Sequence, residues 1–395
     1  MSGKTPDNPN GVGASPLRKE DARHLAGRGH FVADIPLDNA VHATILRSPV
    51  AHGHLKSVTA GDLPKGFHLL TAKDCPDINP IRAVPRVPGF KASDFPIFAT
   101  GKVRYVGQPI GICLAPTAAE AEDIAQLVQI DIDELPAIID TQEATERTDT
   151  VLHDAWGDNV YIQRDVDGGD IKAARANADI TVTNEFRLNR HGAVPLESRA
   201  VLANWDDRRD ELTLHLSTQG PHIMRVGIAE CLGLRERQLR VISPDVGGGF
   251  GSKNRLMPEE VMVCAAALKL GRPVRWLEDR RENITANNQA REHWYRVTAY
   301  ADKNAHILGI EADLIVDAGA YSIWPSGPFM ETGMAARNLP GPYQIPALSV
   351  KTWTVSTNKP PLGPYRGVAR PGACFAIERT LDEVARAAGR DPYDV

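Results

Sequence analysis

The residues of this sequence best suited to chemistry are concentrated between Val241 and Lys253, VISPDVGGGFGSK. A short apolar run, Leu239 to Ile242, breaks at Pro244. Gly247, Gly248, Gly249 and Gly251 follow with Phe250 among them, and a helix-like segment begins near Pro258. A strand that feeds a glycine loop and then a helix start sets backbone N–H groups around a concavity, which suits an anion such as a phosphate. Glycine tolerates φ > 0 and lets a ligand approach the backbone where a Cβ would clash. A phenyl ring inside such a run needs something to pack against. The spacing is neither GxGxxG nor the P-loop pattern, and no acidic residue sits where a dinucleotide ribose would need one. Taken by itself, the loop is equally consistent with a turn that binds nothing.

Other chemistry-bearing residues are sparser. His191, Glu197 and Arg199 form a local polar cluster, read as a structural ion pair near the loop. His52 and His54, two apart on a strand, share a face by geometry alone, so structural or solvent roles are expected for them rather than metal binding. Cys75, Cys113, Cys231, Cys264 and Cys374 are scattered, with no CxxC or iron–sulfur spacing. Most of them read as small buried apolar residues, and the cytoplasm is the expected compartment.

Several elements must position these residues. Ala40 to Leu46 and Val103 to Ala115 read as strands. Thr117 to Glu120 is a capping box that opens a helix through Val128, and Gln129 to Ile132 is a further strand. Cys75 to Thr100 is proline-rich and irregular. Asp179 to Leu188 is a strand, as is the run in which Leu212, Leu214 and Leu216 alternate with polar residues. Pro221 and Gly233 bracket a helix, Glu259 to Leu270 is a helix closed by Gly271, and Trp294 to Ala301 with Ile307 to Val316 forms a hairpin. Ile377, Leu381, Val384 and Ala388 keep helical spacing up to Gly389. The segments expected are a flexible lead-in at 1–12, an α/β unit at 13–142, a linker at 143–157 and a second region at 158–395.

The 395 residues, 42% hydrophobic with a net charge of −5, fit a soluble protein of two or three domains. There is no basic stripe for nucleic acid, no apolar run long enough to span a bilayer and no secretory leader.

Jointly, five segments resemble the molybdenum-cofactor large subunit of the xanthine oxidase family, especially its carbon monoxide dehydrogenase-like branch. They are GVGASPLRKEDARHLAGRGHFVADI, LRSPVAHGHLKSV, VGQPIGICLAPTAAEAEDIAQLVQIDIDELPAIID, LSTQGPHIMR with ISPDVGGGFGSK, and GPYRGVARPGACFAIERTLDEVARAAGRDP. The resemblance runs from about Gly11 to Val395. It implies an α+β fold, in which an N-terminal α/β hammerhead domain precedes the first part of the molybdopterin-binding domain. It also implies a molybdenum–molybdopterin cytosine dinucleotide in this chain. Gln219 would hydrogen-bond a metal oxo group, Gly248, Gly249, Phe250 and Gly251 would lie against the cofactor, and Asn254 and Arg366 would line the substrate pocket. A guanidinium there can stabilise developing negative charge.

The implied reaction is oxidation of an aldehyde or N-heterocycle with water as the oxygen source. Electrons would leave through an iron–sulfur small subunit carrying 2Fe–2S clusters to an FAD medium subunit or another acceptor. Departures narrow this. Gly367 stands where carbon monoxide dehydrogenase has its copper-binding cysteine, and Cys374 is too far along to replace it. Asn254 stands where xanthine oxidases carry a purine-contacting glutamate. Family large subunits continue well beyond this length, and their second half supplies the catalytic glutamate of a GxGE motif. The resemblance therefore implies a split large subunit that needs a partner polypeptide, or else a truncated product; the alternative function is a non-catalytic cofactor-binding or assembly remnant.

Overall fold

A computed structural model describes residues 11–83 and 85–395. Most of the expected lead-in, 1–10, lies outside the described residues. The fold mixes strands and helices along the whole chain, as the α+β expectation requires.

The organising layer is a seven-stranded mixed sheet. In spatial order its strands are Leu239–Ile242, Glu211–Leu216, Ala200–Asp206, Val274–Leu277, Val41–Arg47, Pro109–Ala115 and His68–Thr71. Leu212, Leu214 and Leu216 turn one face of their strand into the core, because side chains two apart on a strand share a face. Helix Pro258–Leu270 packs on this sheet and is buried almost all round, including Glu259 and Glu260. Gly271 ends it at φ 59, in the left-handed conformation that costs glycine least. Helix Pro221–Leu232 starts on its proline and ends on Gly233 in the same way.

A second, five-stranded sheet runs Ile180–Leu188, His293–Ala301, Ile307–Asp317, Leu348–Val355, Val160–Gly168. The expected hairpin is present, turned at Asp302, whose carbonyl accepts from the Ala305 N–H at 2.9 Å. Helix Arg370–Ala388 lays Ile377, Leu381 and Val384 on this sheet. A smaller three-stranded sheet pairs Gly53–Thr59 with Lys102–Val103 and Gln129–Glu134.

Four readings of the sequence differ from what is observed, the first being that the segment read as irregular, Cys75 to Thr100, holds a two-stranded sheet of Ile81–Arg82 with Asp94–Phe95. The single strand expected from Val103 to Ala115 is two, separated by a turn in which Gly107 takes φ 96. The stretch read as a linker, 143–157, holds a short helix, Glu143–Glu146, and buries Ala144 and Leu152 in the main core. Strands from both sides of it share the seven-stranded sheet. His191 is exposed and bridges Ala290, whereas half-buried Glu197 pairs with Lys253 and buried Arg199 with Glu259.

Candidate functional site

Strands Leu239–Ile242 and Glu211–Leu216 pair in parallel, so both C-terminal ends open on the same edge of the sheet. The turn at 217–220 and the glycine loop therefore emerge side by side. The carbonyl of Lys253 accepts from the Gln219 N–H and the Thr218 hydroxyl, both at 3.0 Å, and the Ser243 hydroxyl donates to the Thr218 carbonyl at 3.0 Å.

The Gln219 side chain then reaches over the loop, where its Oε1 accepts the Gly251 N–H at 2.9 Å. A Cβ on Gly249 would stand 2.5 Å from that oxygen, so the position is glycine for lack of space. At Gly251 there are two constraints: φ is 111 and a Cβ would lie 2.4 Å from the Pro364 carbonyl oxygen. Between them Phe250 adopts φ 54 and keeps 46% of its surface exposed. Its ring stacks no partner in the core; a Cβ on Gly248 would meet that ring at 3.0 Å. Asn254 turns under the loop, with its Oδ1 near where a Cβ on Gly220 would fall, 2.9 Å away.

A third segment closes on the loop from the C-terminal side. The Arg366 N–H donates to the Phe250 carbonyl at 2.9 Å. Arg291 pins this segment through the Val368 carbonyl at 3.1 Å and lies over the Tyr365 ring at 4.6 Å, a cation–π contact. The residues singled out in the sequence, Gln219, Gly248, Gly249, Phe250, Gly251, Asn254 and Arg366, are thus brought to one place. Gln219 and Arg366 are exposed, so the place is an open surface. With Oε1 engaged, the Nε2 end of the Gln219 amide is left as the donor. The arrangement fits a flat organic group with polar edges: a loop of glycines, a half-exposed ring, a neutral amide and the exposed Arg366 joined to the loop through its backbone.

Beneath the loop lies an ionic network in which the sequence marked Glu197 and Arg199 as structural but not their partners. Glu197 Oε2 accepts from the Lys253 ammonium, the Ser217 hydroxyl and the Gly247 N–H, while its Oε1 is buried without a hydrogen-bond partner. Burial holds the Lys253 ammonium below its ordinary value, against the pull of Glu197. Deeper, Arg199 pairs with Glu259 at 3.0 Å, Glu260 at 3.3 Å and Glu278 at 2.7 Å, and Arg47 bonds Glu259 and Glu282. Burial, opposed by Arg199 and reinforced by the Glu259 carboxylate, raises Glu260 to about 7. The two guanidiniums overcome burial at Glu259 and hold it low. The available signal was Glu259-Glu260 heading an otherwise apolar helix, a placement that ordinarily reads as solvated first-turn charge.

His52 is buried with Nδ1 on the Pro136 carbonyl at 2.6 Å, whereas His54 is exposed. Among the described residues no group of three or more His, Cys, Asp or Glu is placed to hold a metal ion. All five cysteines are free thiols, and among the described residues no helix is long and apolar enough to cross a membrane.

Residues 152–395 match the family model of the molybdopterin cofactor-binding domain, and residues 26–136 that of the aldehyde oxidase and xanthine dehydrogenase a/b hammerhead domain. The chain is 35% identical to the nicotine 6-hydroxylase large subunit of Paenarthrobacter nicotinovorans, over 98% of this chain and 48% of the relative. It superposes on quinoline 2-oxidoreductase from Pseudomonas putida 86 with a TM-score of 0.92 and 34% identity, covering 96% of this chain and 49% of that one. It is 28% identical to the nicotinate dehydrogenase large molybdopterin subunit of Eubacterium barkeri, covering 97% of this chain and 88% of that subunit. The chain spans about half the length of most of the curated relatives it matches, the last being an exception.

Proposed function

The chain belongs to the aldehyde oxidase and xanthine dehydrogenase family and carries its molybdopterin-binding domain; from that premise we propose that it supplies the cofactor-binding half of a molybdenum hydroxylase large subunit. The observation that carries this reading is the convergence of three distant segments on one open surface, through Gly251 N–H to Gln219 and Arg366 N–H to Phe250. The nicotinate dehydrogenase subunit is a relative of similar length, this chain covering 88% of it, and nicotine, nicotinate and quinoline in the names of relatives favour an N-heterocycle over an aldehyde.

The group proposed is a molybdenum–molybdopterin cytosine dinucleotide, which when bound supplies the two-electron redox chemistry by which a hydroxyl from water replaces a ring hydrogen. This chain's residues hold and orient. Gly248, Gly249 and Gly251 would shape the backbone against the flat group, with the space of each missing Cβ taken by Phe250, Gln219 or Pro364. Phe250 offers a ring face to pack on. Gln219 Nε2 donates a hydrogen bond without adding charge. Arg366 stabilises negative charge that develops on a bound heterocycle. Asn254, turned beneath the loop, would shape the pocket wall. The proton-accepting glutamate would come from the second half of the large subunit, which this sequence does not include. Iron–sulfur and FAD subunits, or another acceptor, complete the proposed complex. The cysteine pattern supports a cytoplasmic setting.

The test is reconstitution. Alone, the purified chain is expected to show no hydroxylase activity with N-heterocycles, and addition of a second-half partner is expected to restore it, with molybdenum and CMP released on denaturation. Activity from the single chain would overturn the split site. A complex holding neither molybdenum nor CMP would identify a non-catalytic remnant.

A further inference from the structure

One carboxylate oxygen fastens three segments under the glycine loop. Glu197 Oε2 accepts from the Gly247 N–H at 2.7 Å, the Ser217 hydroxyl at 2.7 Å and the Lys253 ammonium at 2.9 Å. Lys253 Nζ also donates to Ser217 Oγ at 2.8 Å, so the hydroxyl both gives and receives. Gly247 is where the loop begins, Lys253 is where it ends, and Ser217 lies two residues before Gln219. Lys253 is only 2% exposed, and a buried ammonium requires a counter-charge; Glu197 supplies it. Gly247 has no room for a side chain, since a Cβ would lie 2.5 Å from Glu197 Cβ. The backbone of Lys253 closes the figure by accepting the Gln219 N–H.

Gln219 needs such an anchor. Its side chain is exposed, long and held at its tip by one hydrogen bond, to Gly251. A flexible amide serves a reacting centre only when packing and further hydrogen bonds fix it. We propose that Glu197, acting with Ser217 and Lys253, is a positioning residue that sets the Gln219 amide against Gly251 and so aims its Nε2 donor at the cofactor. None of the three touches the reacting atoms. The inference rests on the function proposed above for this site, and its test separates the two.

The experiment uses the assembled complex with Ser217→Ala and Glu197→Gln, each also in a Gln219→Ala background. Five quantities are read: molybdenum per chain, the circular dichroism bands of the bound cofactor, kcat, KM, and amide hydrogen exchange at Gly251. Both variants are expected to retain molybdenum and shift the dichroism. They should lower kcat by about 10- to 100-fold while changing KM far less, as loss of groups that orient a cofactor contact does. Exchange at Gly251 should accelerate by on the order of tenfold or more as the Gln219 contact loosens. In the Gln219→Ala background the same substitutions should cost almost nothing further, because the group they act through is gone. Parental exchange and dichroism, or losses that simply add to those of Gln219→Ala, would overturn the proposal. Should Glu197→Gln fail to assemble, Ser217→Ala, which removes one hydroxyl and no charge, decides alone. A parent complex devoid of molybdenum would sink the functional reading, while the exchange rate at Gly251 would still judge the positioning role.

Discussion

At the scale of single residues, the site is governed by where a Cβ cannot stand. Gly249 has ordinary backbone and is excluded from carrying a side chain only by Gln219. Gly249→Ala is therefore expected to push the Gln219 amide off Gly251 while costing about 1–3 kcal/mol of stability, the usual range for overpacking. Molybdenum content per chain should drop with it, which metal analysis of the complex would show. Charge at this scale gives a pH prediction. Burial raises the Glu260 carboxyl from its ordinary 4.5 to about 7 in the folded chain, so between those values the folded state holds a proton that the unfolded state has lost. Stability from this group is full below 4.5 and is lost as pH rises through about 7. Glu260→Gln, neutral throughout, should match the parent in unfolding midpoint near pH 4.5 and exceed it by several degrees at pH 8 in calorimetry. Equal midpoints at both pH values would show that Glu260 carries no raised pKa.

At the scale of elements, local rules read from sequence explain most boundaries. The capping box at Thr117 is present in both directions: Glu120 N–H to Thr117 Oγ1 at 3.2 Å and Thr117 N–H to Glu120 carboxylate at 3.0 Å. Thr117→Ala should cost about 1 kcal/mol in urea unfolding, with no effect on cofactor content, since the helix is remote from the glycine loop. Gly233, Gly271 and Gly389 all close helices at positive φ, and each was legible because glycine is the residue least penalised there. Gly107 was not, since a glycine in an apolar run does not announce whether the strand continues or turns. Leu348–Val355 and Ala200–Asp206 were also missed as strands; both are centred in sheets or pair on two sides, so neither shows a strict apolar–polar alternation to read.

At the scale of the whole molecule, the seven-stranded sheet is what places the site. Val41–Arg47 pairs with Val274–Leu277 on one side and Pro109–Ala115 on the other, so the early and late parts of the chain share one core. A chain cut at 142 is accordingly expected to lose cooperative unfolding and give poorly dispersed NMR amide signals; a sharp transition from that fragment would show that it folds alone. By itself the sequence determined the glycine loop, the helix ends, the alternating strands and, through the order of its motifs, the family to which the chain belongs. These depend on neighbours a few residues apart or on linear order, which a sequence displays. Only the tertiary structure decided that Gln219, Phe250 and Arg366 meet, that Glu197 and Lys253 clamp the loop, and that Glu259 and Glu260 are buried against Arg47 and Arg199. Those contacts join residues far apart in the chain, and the free energy of a charge depends on what surrounds it in space, which residue type alone does not record.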